Sequence, residues 1–168
     1  MKKTMSRLMM LALVALVALP LAACKKEEAP KVQAKPPMSA PASGERQAWV
    51  DYLNDVVPRH MAGINNQPFV YLLPAEDTEG FEDQYERLLE KAESDVGRGI
   101  IRGNLLAYAS PASSRMADLV VASFANVPAG SMEGVRVLFI GDPADDARVK
   151  AAVAPAGVEY VFVDTSKK

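Results

Sequence analysis

Apolar residues fall into three regimes along the chain. They are continuous from Leu8 to Leu19, sparse and without aromatics from Cys24 to Gly44, and periodic from Trp49 onward. Within the third regime Trp49, Leu53, Val56 and Val57 fall at helical spacing, which predicts a first helix running to about Val57, where Pro58 stops or kinks it. The stretch from Phe69 to Leu73, bounded by Pro68 and Pro74, is short and rich in strand formers. Phe81, Tyr85, Leu88, Leu89, Ala92 and Val96 then trace one face of an amphipathic helix.

The alternation continues to the end of the chain. Leu105 to Ala109 predicts a second strand, and Met116, Leu119, Val120, Ser123 and Phe124 a second amphipathic helix, with Ser113 or Ser114 as its cap. Val135 to Ile140, ending at Gly141, predicts a third strand. Asp142 and Pro143 together form a cap and first-turn proline for a third helix carrying Val149, Ala152 and Val153 and ending near Gly157. Val158 to Val163 is the last strand.

Strands separated by helices imply right-handed crossovers. The expected fold is therefore an α/β domain of three layers, a mainly parallel four-stranded sheet in the order βαβαβαβ preceded by an N-terminal helix. Strand three, whose only polar residue is Arg136, is expected to be central, and strand four, which carries Glu159, an edge. The strand order expected is 2-1-3-4. In such sheets ligands sit beyond the carboxyl ends of the strands, which directs attention to residues 74–77, 110–115, 141–146 and 164–166.

The first regime has the layout of a secretory signal: Lys2, Lys3 and Arg7, then the apolar run, Pro20 and small residues. The run is shorter than the roughly 20 apolar residues that span a bilayer, so cleavage is expected. Leu21-Ala22-Ala23-Cys24 resembles the lipobox of bacterial lipoproteins. The resemblance covers residues 1–24. It implies that Cys24 carries a diacylglyceryl group with acyl chains such as palmitate and that residues 1–23 are removed. Two or three chains, at about 0.8 kcal/mol per buried CH2, hold a protein on a membrane durably. Lys25, in place of the Asp of inner-membrane retention signals, implies the periplasmic face of the bacterial outer membrane.

Residues 24–44 contain Pro30, Pro36, Pro37 and Pro41 among small and charged residues and are expected to be a disordered tether. A coil of that length spans roughly 25 Å, and a polyproline II form about 60 Å. All of the chain's Phe, Trp and Tyr residues lie after Gly44, placing the globular domain at residues 45–168. The near-neutral total of -2 divides unevenly, since the domain holds 12 Lys and Arg against 19 Asp and Glu. An acidic domain is a poor nucleic-acid binder. A single Cys and a single His exclude a disulfide framework, a CxxC redox centre and His-rich metal sites, and no cofactor is expected.

Two constellations at the expected carboxyl end carry candidate chemistry. Ser113, Ser114 and Arg115, in a strand-to-helix loop, offer hydroxyls, free N–H groups and a guanidinium to an anion; the competing reading makes the serines helix caps. Glu76, Asp77, Asp142, Asp145, Asp146 and Asp164 would gather as oxygen ligands for Mg2+ or Ca2+, although Asp142, Asp145 and Asp146 also suit a helix N-terminus. Gly97, Gly99 and Gly103 leave a helix and enter a strand, so they read as a C-cap and turn residues and not as a dinucleotide fingerprint. His60 reads as a packed residue. GxSxG, HExxH and SxxK motifs are absent from the sequence. The expectation is a non-catalytic envelope module with a protein partner. Behind it stand an anion-binding domain using Ser113, Ser114 and Arg115 and, more remotely, a metal-dependent hydrolase.

Overall fold

A computed structural model describes residues 36–167. The lipobox-like stretch with Cys24 and most of the expected tether lie outside them. The elements are α1 (Arg46–Arg59), β1 (Phe69–Leu72), α2 (Phe81–Gly97), β2 (Leu105–Ala109), α3 (Ser113–Phe124), β3 (Arg136–Gly141), α4 (Pro143–Val153), a 3-10 turn (Ala154–Ala156) and β4 (Glu159–Asp164). The chain is an α/β protein with an all-parallel sheet. The first helix runs past Val57 and absorbs Pro58 in its final turn. Gly97 remains helical, and the left-handed position that ends α2 is Gly99, at φ +85°.

The strand order is β1-β2-β3-β4 rather than 2-1-3-4. Three successive crossovers of one hand, all stepping the same way, bring their helices to one face. There Met116, Leu119 and Val120 of α3, Val96 of α2 and Val149 of α4 pack on Tyr71, Leu106, Tyr108, Val137 and Phe139. The other face is taken by α1, whose Trp49, Tyr52, Leu53 and Val56 cover Leu105, Ala107, Ala109, Leu138 and Ile140. A reversed order would have sent α2 across the face that α1 occupies. A monotonic order has no point of reversal and so lacks the crevice that a reversal opens between diverging loops.

Strands β2 and β3 are interior, β1 and β4 edges, and every residue of β2 is fully buried. The compact unit starts at Pro36, earlier than the expected boundary at residue 45. Residues 36–43 lie along α1: the Met38 N–H donates to Asp55, the Pro36 carbonyl accepts from Arg59, Ala40 joins the α1 core, and the Trp49 indole N–H donates to the Ser43 carbonyl at 3.0 Å. At the amino end of the sheet the Arg136 guanidinium donates to the carbonyls of His60 and Ala62 and pairs with Glu159, tying the end of α1 to β3 and β4.

Candidate functional site

At the carboxyl end of the sheet the turn after β2 is shaped by Ser110, whose hydroxyl accepts from the Ala112 N–H at 2.8 Å. The N-cap of α3 is Ala112, so neither expected serine caps that helix; both lie inside its first turn. Their hydroxyls reach across to α4. Ser113 donates to the Asp145 carboxylate at 2.6 Å and accepts from the Asp142 N–H at 2.8 Å. Ser114 accepts from Arg148 at 3.0 Å through its hydroxyl and at 2.8 Å through its carbonyl.

Arg148 is the hub that sequence reasoning missed. It also donates to Asp145 and to Asp118 of α3. Its local sequence shows only the i,i+3 pair with Asp145, because its other partners, Ser114 and Asp118, lie in another helix. Arg115 turns elsewhere: it grips Glu82 of α2 through two hydrogen bonds of 2.8 and 2.7 Å and lies over the rings of Phe81 and Tyr85. The Arg115 hydrogen bonds hold the Glu82 carboxyl below its ordinary range. Ser113, Ser114 and Arg115 therefore do not converge on a common point.

The carboxylates are dispersed in the same way. Asp142 accepts from the Ala144 N–H at 2.8 Å as the cap of α4, Asp146 accepts from the Tyr160 hydroxyl at 2.8 Å, and Asp164 accepts from the Ser166 hydroxyl and N–H. Glu76 and Asp77 follow β1 at the opposite side of the sheet. Among the described residues no three His, Cys, Asp or Glu side chains form a group suited to a metal ion. Against protein-family models, curated proteins and solved structures alike, the chain finds no match.

A second polar cluster lies on the α2 side of the sheet. Asp95 is buried and accepts from Tyr71, Lys91 and Arg98. Burial pushes its carboxyl up, but the hydrogen bonds of Lys91, Tyr71 and Arg98 together outweigh this and hold it below the ordinary range. Tyr71 stacks on Tyr108 at 4.6 Å between ring centres, and the Tyr108 hydroxyl is buried with no partner among the described residues. Burial raises both phenols. His60, the C-cap of α1, is half-buried, and burial with the nearby Arg136 charge lowers its pKa. Among the described residues neither Asp95 nor His60 forms a hydrogen-bonded pair with a serine or cysteine.

Proposed function

We propose that this chain is a lipid-anchored envelope protein whose α/β domain acts as a non-catalytic interaction module. The observation carrying this reading is the mutual engagement of the polar groups at the carboxyl end of the sheet. Ser113, Ser114, Asp145 and Arg148 satisfy one another, as do Arg115 and Glu82, so they brace helices instead of facing a substrate. Catalytic groups need free capacity to bind or move a proton at a reacting atom. The lipobox-like Leu21-Ala22-Ala23-Cys24 supports the anchor, and Lys25 the outer membrane.

Metabolic labelling with a radioactive fatty acid tests the anchor. The wild-type chain takes up label and the Cys24→Ser chain accumulates as an unlabelled precursor; equal labelling of both sinks the assignment. Crosslinking in intact cells, followed by detergent capture, tests the module. A stoichiometric envelope partner is expected, and its consistent absence counts against the reading.

A further inference from the structure

The free edge of β1 is unlike that of β4. In β4 the residues turned outward are Tyr160, Phe162 and Asp164, since the Glu159 N–H donates inward to Val135 and the Thr165 N–H to Gly141. A charge on an open edge discourages further strands. In β1, Phe-Val-Tyr-Leu, there is no charge. The Leu73 N–H donates to the Ala109 carbonyl, and alternation in a parallel ladder then turns Phe69 and Tyr71 inward and leaves the N–H and C=O groups of Val70 and Leu72 facing out. No described residue supplies them with a partner.

The side chains of those same two residues line an apolar cleft. It holds about 370 Å3 between β1 and α1, walled by Val50, Leu53, Val57, Pro58 and Pro68 with Asn54 as its one uncharged polar side chain. The cleft exists because α1 sits over β2 and β3 and leaves this side of β1 partly uncovered, with Val70 43% exposed. Arg46 closes the end of the cleft near the carboxyl end of the sheet and forms no ion pair among the described residues. An open ladder, an apolar trough in register with it and a single cation at one end together fit one kind of occupant.

We propose that this edge binds an extended apolar segment of a partner protein, which adds as a fifth strand, sets alternate side chains in the cleft and places a carboxylate against Arg46. The inference rests on the interaction-module reading and specifies its surface. Val70 and Leu72 supply both donors and acceptors of the new ladder, and four residues of added strand, at about 3.3 Å each, match the length of β1.

The test uses the full chain in detergent micelles, panned against displayed random heptapeptides with free carboxyl termini, and a synthetic copy of an enriched peptide. Enriched sequences should alternate apolar residues, and Val70→Lys should weaken the synthetic peptide at least tenfold while the thermal melt confirms a folded variant. N-methylation of alternate peptide nitrogens, which leaves the protein untouched, should abolish binding. Amidating the peptide terminus should weaken binding in the wild type but not in Arg46→Gln. Amide exchange should slow at Val70 and Leu72 and stay unchanged at Tyr71. The proposal is overturned if no peptide is enriched, or if binding ignores both Val70→Lys and N-methylation. It is equally overturned if Val70→Lys converts a dimer of the chain to a monomer, for then the edge belongs to a second copy. The same measurements on Cys24→Ser chain separate the two readings: lost acylation with intact peptide binding concerns only the anchor, and intact acylation without peptide binding defeats only this inference.

Discussion

The Ser113 hydroxyl and the Asp145 carboxylate stand 2.6 Å apart and join the first turn of α3 to the first turn of α4. Because Asp145 is buried and the same hydroxyl also receives the Asp142 N–H, Ser113→Ala leaves an acceptor and a donor short of partners. The expected loss is about 1 to 3 kcal/mol, seen as a lower urea midpoint with unchanged slope. A loss under about 0.5 kcal/mol would mean that water replaces the hydroxyl and that the bridge is not structural.

Gly141 explains how the bridge fits. A methyl group there would lie 2.6 Å from the Ser113 hydroxyl oxygen and 2.8 Å from the Phe139 ring. Gly141→Ala should cost about 1 to 3 kcal/mol by overpacking. Combined with Ser113→Ala, which removes one of the two obstacles, it should cost less than the sum of the single changes by at least about 0.5 kcal/mol. Strict additivity would assign the whole strain to Phe139.

The stacked tyrosines should respond in opposite ways to the same change. Tyr71→Phe deletes a hydroxyl that donates to the buried Asp95 at 2.9 Å and should cost about 1.5 to 3 kcal/mol, as for a hydrogen bond to a charged group. Tyr108→Phe deletes a buried hydroxyl that lies near the Ser123 hydroxyl but makes no hydrogen bond of ordinary geometry, Ser123 donating instead to the Val120 carbonyl. That variant should be neutral or more stable, by up to about 1 kcal/mol. Thermal unfolding of both variants decides the matter, and a destabilised Tyr108→Phe would reveal a partner for its hydroxyl.

The contrast between these sites shows what the pattern of residues could convey. Local periodicity and turn chemistry were enough to place all four strands, and Asp142 with Pro143 marked the start of α4 because a cap acts within its own turn. Strand order was not legible. It depends on which sheet face α1 covers, a contact between residues far apart in sequence. Ser113 and Ser114 look like caps because cap and first-turn serines share a sequence context; only the approach of α4 shows that their hydroxyls point across and not along. Arg148 gave only the local signal of an i,i+3 pair with Asp145, since Ser114 and Asp118 reach it from another helix.

The stability of the domain should fall with acid over two pH ranges. Burial and the Arg136 charge make His60 harder to protonate in the folded chain than in the unfolded one, so stability declines as pH falls below about 6.5. Asp95 is held below its ordinary value, so its contribution is complete above about 3.9 and is lost as pH falls through the lower folded value. His60→Gln should remove the upper decline and Asp95→Asn flatten the lower one, in urea titrations from pH 3 to 7. A His60→Gln profile identical to wild type above pH 5 would refute the first assignment.

The segment before α1 bears on how the domain meets its tether. Residues 36–43 were expected to be free of structure, because proline and small residues cannot bury enough surface on their own. They are held by groups that α1 supplies: Asp55 and Arg59 take the backbone at Met38 and Pro36, and the Trp49 indole takes Ser43. A fragment of residues 45–168 loses these bonds and the packing of Ala40, and bares part of the Trp49 face. It should be less stable than a fragment of residues 36–168 by about 1 to 3 kcal/mol, with Trp49 fluorescence shifted toward that of a wetter indole. Equal stability would mean that the segment merely rests on α1 without contributing to the fold. A difference of the expected size would instead fix the start of the stably folded domain at Pro36, beside the last turn of α1.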